Sequence, residues 1–140
     1  MREQSAIAPA QLMYDTATTA VISTSVYPFD SVSYFSSVLT KEDMTAVDSL
    51  LASVVRAYNS SIADNEHKIG LENNDYRKQL VAVINSKGEK EVWVNCFCVT
   101  FNDSWKTQIL NIEDGGPCYF NFKVNLVTKR VYDFIVNGFA

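Results

Sequence analysis

The run Cys118-Tyr119-Phe120-Asn121-Phe122-Lys123-Val124-Asn125-Leu126-Val127 alternates apolar and polar residues from Phe120 to Leu126. A period of two marks a strand with one face on a core and the other toward water. Phe120, Phe122, Val124 and Leu126 then point inward, and Tyr119, Asn121, Lys123 and Asn125 outward. Thr128-Lys129-Arg130 makes a tight connection, and Val131 to Asn137 returns as the partner strand. This register sets Tyr132, Phe134 and Val136 opposite the inward residues and puts Asp133 on the polar face, a diagonal neighbour of Lys123. Upstream, Gln79 to Asn85 and Glu91 to Phe101 read as two further strands, joined through Ser86-Lys87-Gly88-Glu89-Lys90. The connection from Asn102 to Pro117 is longer and closes on the turn signal Asp114-Gly115-Gly116-Pro117.

Before the strands the period changes. Thr40-Lys41-Glu42-Asp43 has the spacing of an N-cap followed by an acidic first turn, which suits the positive end of the helix dipole. Met44, Val47, Leu51, Val54, Val55, Tyr58 and Ile62 recur at steps of three and four, so residues 41–64 form an amphipathic helix. At ~1.5 Å per residue it spans roughly 36 Å, the reach of a ten- or eleven-residue strand at ~3.3 Å per residue. One long helix on a four-stranded antiparallel meander over residues 77–137 satisfies both lengths, and the expected class is α+β; a helix followed by an antiparallel sheet resembles a cystatin-like or NTF2-like arrangement. A fifth strand is added if the β-branched stretch 20–27, ended by Pro28, joins the sheet. Residues 1–38 are otherwise a Ser/Thr-rich segment of the same single domain, 1–140.

The chain is 140 residues long, 47% apolar and 20% charged, enough to bury a core without staples. A net charge of −4 argues against nucleic acid, which needs a basic stripe, and against a polybasic membrane anchor. The longest apolar run, Leu80 to Ile84, is far short of a transmembrane segment. Met1 to Ala10 offers no signal-peptide core, so the chain as written reads as cytoplasmic; a mature domain of an exported protein would read the same.

The second strand departs from alternation. Trp93, Asn95, Phe97, Val99 and Phe101 face one way; Val92, Val94, Cys96, Cys98 and Thr100 face the other. Two apolar faces mean that both are covered, or that one is a recognition surface. Residues 1–38, or the 102–117 loop with Trp105 and Leu110, are the candidate covers. Left open, Trp93, Asn95 and Phe97 would form a ligand-binding aromatic face for an unknown protein or a small apolar ligand, with homodimerisation through the sheet as a further mode.

Catalytic and metal motifs are missing: no nucleophile elbow, phosphate loop, dinucleotide fingerprint or zinc-protease helix is present. His67, between Glu66 and Lys68, reads as solvated, and Asp133 with Lys123 as a surface ion pair. No catalytic residue, metal ligand or cofactor is assigned. Cys96, Cys98 and Cys118 are an odd set, and the first two share a strand face where they cannot bond well to each other. Buried, reduced thiols are expected.

Gln79-Leu80-Val81-Ala82-Val83 resembles the Q-x-V-x-G hairpin motif of cystatin protease inhibitors, with Val83 in the place of the glycine. Lys87-Gly88-Glu89-Lys90-Glu91-Val92-Trp93-Val94-Asn95-Cys96-Phe97-Cys98 is similar to a segment of small bacterial proteins that are often exported. So are Asp114-Gly115-Gly116, Cys118-Tyr119-Phe120 and Asn137-Gly138-Phe139-Ala140. That resemblance implies a periplasmic or surface-exposed setting and no activity. The sequence reading is a non-enzymatic binding or interaction domain; its rival is a small ligand-binding protein or enzyme with a pocket between helix and curved sheet.

Overall fold

Helix α1 (Lys41–Ser60) starts where Thr40 can cap it: the Thr40 hydroxyl accepts from the Asp43 N–H, and the Asp43 carboxylate accepts from the Thr40 N–H. This is a computed structural model of the protein, describing residues 14–72, 75–98, 100 and 102–139. Asp43 also pairs with Lys90 at 2.6 Å, tying the helix start to the sheet. Burial opposes the Asp43 charge, but the Lys90 ammonium and the Thr40 bonds outweigh it and hold the carboxyl below its ordinary value. The helix stops at Ser60 rather than 64. Ser60 and Ser61 hydroxyls donate back to the carbonyls of Ala57 and Tyr58, and Asp64 caps a separate 3₁₀ turn, Asn65–His67.

The strands are β1 (Thr19–Val21), β2 (Phe35–Ser36), β3 (Arg77–Ile84), β4 (Lys90–Phe97), β5 (Tyr119–Asn125) and β6 (Arg130–Val136). They form one six-stranded sheet ordered β1-β3-β4-β5-β6, with β2 also paired to β3. The α+β class and the β3–β6 antiparallel meander are as expected. The sheet itself is mixed, however, because β1 runs parallel to β3. α1 lies between them in the chain, and a crossover of that kind returns the next strand in the same direction. The strand expected over 20–27 is cut short. Ile22 N–H still bonds the Leu80 carbonyl, but the Ser25 hydroxyl then captures the Tyr27 N–H and the chain turns.

Two corrections concern the far strands. β4 ends at Phe97 because Cys98 and Cys118, the next cross-strand pair beyond Phe97 and Tyr119, form a disulfide with Cα atoms 5.1 Å apart. The expectation of three reduced thiols therefore holds for Cys96 alone. Val99 and Phe101, assigned to this strand from sequence, lie outside the described residues, as do Met1 to Ala10. The second correction is a bulge in β6. Lys123 pairs with Tyr132 but Asn121 pairs with Ile135, and Asp133 takes φ 52° to absorb the extra residue. Tyr132 consequently leaves the core face, while Phe134 and Val136 stay on it.

The main core lies between α1 and the sheet. Met44, Val47 and Val55 bury against Leu80, Val92, Val94, Cys96, Phe120, Phe122, Val124 and Leu126, with Leu51, Val54 and Tyr58 half-buried beside them. The helical stripe thus docks on the strand face read from the sequence. Desolvation pushes the Cys96 thiol up to about 12, so it sits there as a small neutral hydrophobe. Among the described residues no helix is long and apolar enough to cross a membrane.

Candidate functional site: a half-polar cavity on the sheet face away from the helix

The other sheet face divides into a covered part and an open part. Ala20, Ile22 and Phe29 from the N-terminal segment, with Trp105 from the 102–117 connection, bury Val81, Val83, Trp93 and Phe97. The turn Asp103–Lys106 sets Trp105 edge-on to Phe97, with ring centroids 5.7 Å apart. Both candidate covers are used. They stop short of the β4–β6 end, where a cavity of about 490 Å³ remains. Its floor is β4, β5 and β6, Tyr27 and Pro28 form one wall, and Leu110 to Glu113 form the other.

Trp93, Asn95 and Phe97 all line this cavity. Phe97 is fully buried and Trp93 is 6% exposed, so their bulk is mostly spent on packing. Asn95 is different. It sits in a row of three carboxamides on neighbouring strands, Gln79 opposite Asn95 and Asn95 opposite Asn121. Hydrogen-bond partners of fixed polarity set how each one is turned. Gln79 Nε2 donates to the carbonyls of Trp105 and Gln108, both at 2.6 Å, and its Oε1 accepts from the Leu110 N–H at 3.0 Å. Gln79 Oε1 and the Leu110 carbonyl then claim both hydrogens of Asn95 Nδ2, at 3.1 and 2.9 Å. Asn95 Oδ1 is left as an acceptor with no partner among the described residues, on a side chain whose residue is 8% exposed. On β5, Trp93 Nε1–H can only donate, so it takes Asn121 Oδ1 at 3.2 Å and leaves Asn121 Nδ2 as a donor with no partner among the described residues.

The same network builds the wall. Asn137 Nδ2 donates to the carbonyls of Ile112 and Asp114, Tyr76 donates to Pro117 O at 2.7 Å, and the Cys98–Cys118 disulfide closes the base of the excursion. Gly115 and Gly116 take φ 93° and 67° in its closing turn, and a Cβ on Gly116 would meet the Phe139 ring at 2.5 Å.

Charges stand at the rim. Lys123 pairs with Asp133 at 3.1 Å, as the sequence predicts, and its ammonium also lies over the rings of Phe29 and Tyr132. Behind them the buried Glu91 carboxylate accepts from Tyr132 Oη and from Asn85 Nδ2. Burial first, and then that carboxylate, push the Tyr132 phenol well above its ordinary value. His67 is exposed at the opposite face, paired with Asp64 at 3.2 Å and edge-on to Phe139.

Sequence reasoning found Asn95 but not its partner Gln79, its cross-strand neighbour Asn121 or the wall-building Asn137. The available signal was an amide at an otherwise apolar strand position, since a buried amide must find fixed hydrogen-bond partners. Together the fold and cavity define an α+β domain, with one α-helix among the described residues and a half-polar cavity on the sheet face that this helix leaves free. No known protein family, curated protein sequence or solved structure matches this chain.

Proposed function

We propose that the protein is a non-enzymatic binding domain whose site is the cavity over β4, β5 and β6. The supporting observation is Asn95 Oδ1, a buried acceptor whose orientation is enforced from behind and which no described residue meets. Such a group costs roughly 1–3 kcal/mol when nothing satisfies it, and a ligand that donates to it recovers that cost. The lining supports binding over covalent chemistry: among the described residues it contains no Ser, Thr, Cys or His, and of its two carboxylates, Glu113 and Asp133, the latter is held by Lys123. A structural disulfide together with the resemblance to exported bacterial proteins favours a periplasmic or surface-exposed setting.

Ile135 is 54% exposed at the cavity mouth, and Ile135→Trp should plug it while the protein stays folded. Ligand-observed NMR with small neutral phenols and aromatic amides should show saturation transfer to the wild type and its loss in this variant. Equal transfer to both proteins would remove the cavity as the site.

A further inference from the structure

We infer that the cavity recognises a flat, neutral group carrying an N–H donor and a carbonyl acceptor on one edge: a primary carboxamide, or a cyclic lactam or imide. This rests on the reading of the cavity as a binding site and specifies its ligand. Asn95 Oδ1, unpartnered among the described residues, needs a donor, and Asn121 Nδ2, likewise unpartnered among them, needs an acceptor. The two residues are direct cross-strand partners, so their side chains leave the sheet about 5 Å apart. A ligand meeting both must present its donor and acceptor side by side. A cis-amide edge does so, whereas a trans peptide bond points its N–H and C=O in opposite directions.

Charge and shape narrow the class further. Glu113 and Asp133 stand at the cavity against the single ammonium of Lys123, which Asp133 already holds, so an anionic ligand is repelled. Tyr27 and Tyr119 add aromatic rings to the lining, which favours a planar ligand over a branched aliphatic one. Neither amide can flip to suit another ligand. Turning Asn95 would set its oxygen against the Gln79 and Leu110 oxygens, and turning Asn121 would set its NH₂ against the Trp93 N–H. The edge is therefore read in one sense only: ligand donor to β4, ligand acceptor to β5.

The test is calorimetric titration with uracil and nicotinamide as probes of the cis-amide edge, 1,3-dimethyluracil as the same ring without N–H donors, and phenol as a flat probe without an amide. Uracil and nicotinamide should bind, 1,3-dimethyluracil at least tenfold more weakly. Asn121→Asp, which keeps the acceptor for Trp93 but replaces the free donor by an acceptor, should weaken uracil at least tenfold. Equal binding of uracil and its dimethyl analogue by the wild type overturns the edge, whatever the variant does. Phenol binding that Ile135→Trp abolishes, without uracil or nicotinamide binding, overturns the amide class and leaves the cavity as a site. No binding by any probe overturns both.

Discussion

The two faces of the sheet solve the same burial problem differently. On the helix face, one amphipathic helix meets one alternating set of strand residues, and Val47, Phe122, Val92 and Val94 are completely buried. On the other face the cover comes from two irregular segments, Ile22 to Phe29 just past β1 and the turn carrying Trp105, and it ends before the sheet does. A regular face needs only matching periods. An irregular cover needs its backbone groups satisfied one at a time, and Gln79, Asn95, Asn137 and Tyr76 do this from the sheet and its flanks. The by-product of that arrangement is an amide edge on which one acceptor and one donor have no partner among the described residues.

The comparison breaks most readily through the core residues of each face. Phe122→Ala on the helix side and Phe97→Ala on the covered side should each cost about 3–5 kcal/mol in denaturant unfolding, since both are fully buried. Leu51→Ala, half-buried on α1, should cost less than either. Ile135→Ala, at the open rim, should cost under about 0.5 kcal/mol. A Phe97 loss as small as that of Ile135 would mean that the second face is open throughout.

Next in size is the disulfide. Cys98 and Cys118 are 20 residues apart, so replacing both by Ser should remove about 3 kcal/mol and loosen the wall while leaving the α1 contacts in place. Thiol titration gives a sharper reading of the same point. Denaturant alone should expose one thiol per chain, Cys96, and denaturant with reductant all three. Three thiols without reductant would remove the staple.

Much of the helix face was legible in the sequence because Met44, Val47 and Val55 and the Phe120–Leu126 alternation obey local periods. What escaped reading was non-local. The parallel pairing of β1 depends on a crossover, the β6 bulge on a single residue at φ 52°, and the disulfide on how far β4 and β5 extend before parting. Asn95 was recognisable as a polar intruder in an apolar strand, but the sense in which its amide is turned is set by the Leu110 carbonyl and Gln79 Oε1, fifteen and sixteen residues away. Its Asn121 neighbour looked like an ordinary outward-facing polar residue.

The smallest expected effect belongs to the helix side. Asp43 has its folded value lowered from 3.8, so its pairing with Lys90 contributes stability above about pH 4 and loses it as pH falls through the lower folded value. Asp43→Asn should flatten the acid limb of the stability curve below about pH 4 and leave ligand binding unchanged. A binding change in that variant would couple the two faces.

The most direct test of the division between faces is a backbone and side-chain amide NMR map taken with a mixture of uracil, nicotinamide and phenol. Shifts should gather on the Trp93 indole N–H, the Asn95 and Asn121 side-chain amides and Ile135, and spare α1. Shifts gathered instead in the groove of Arg56, Asn59, Lys68 and Ile69 beside the helix, or none at all, would contradict it.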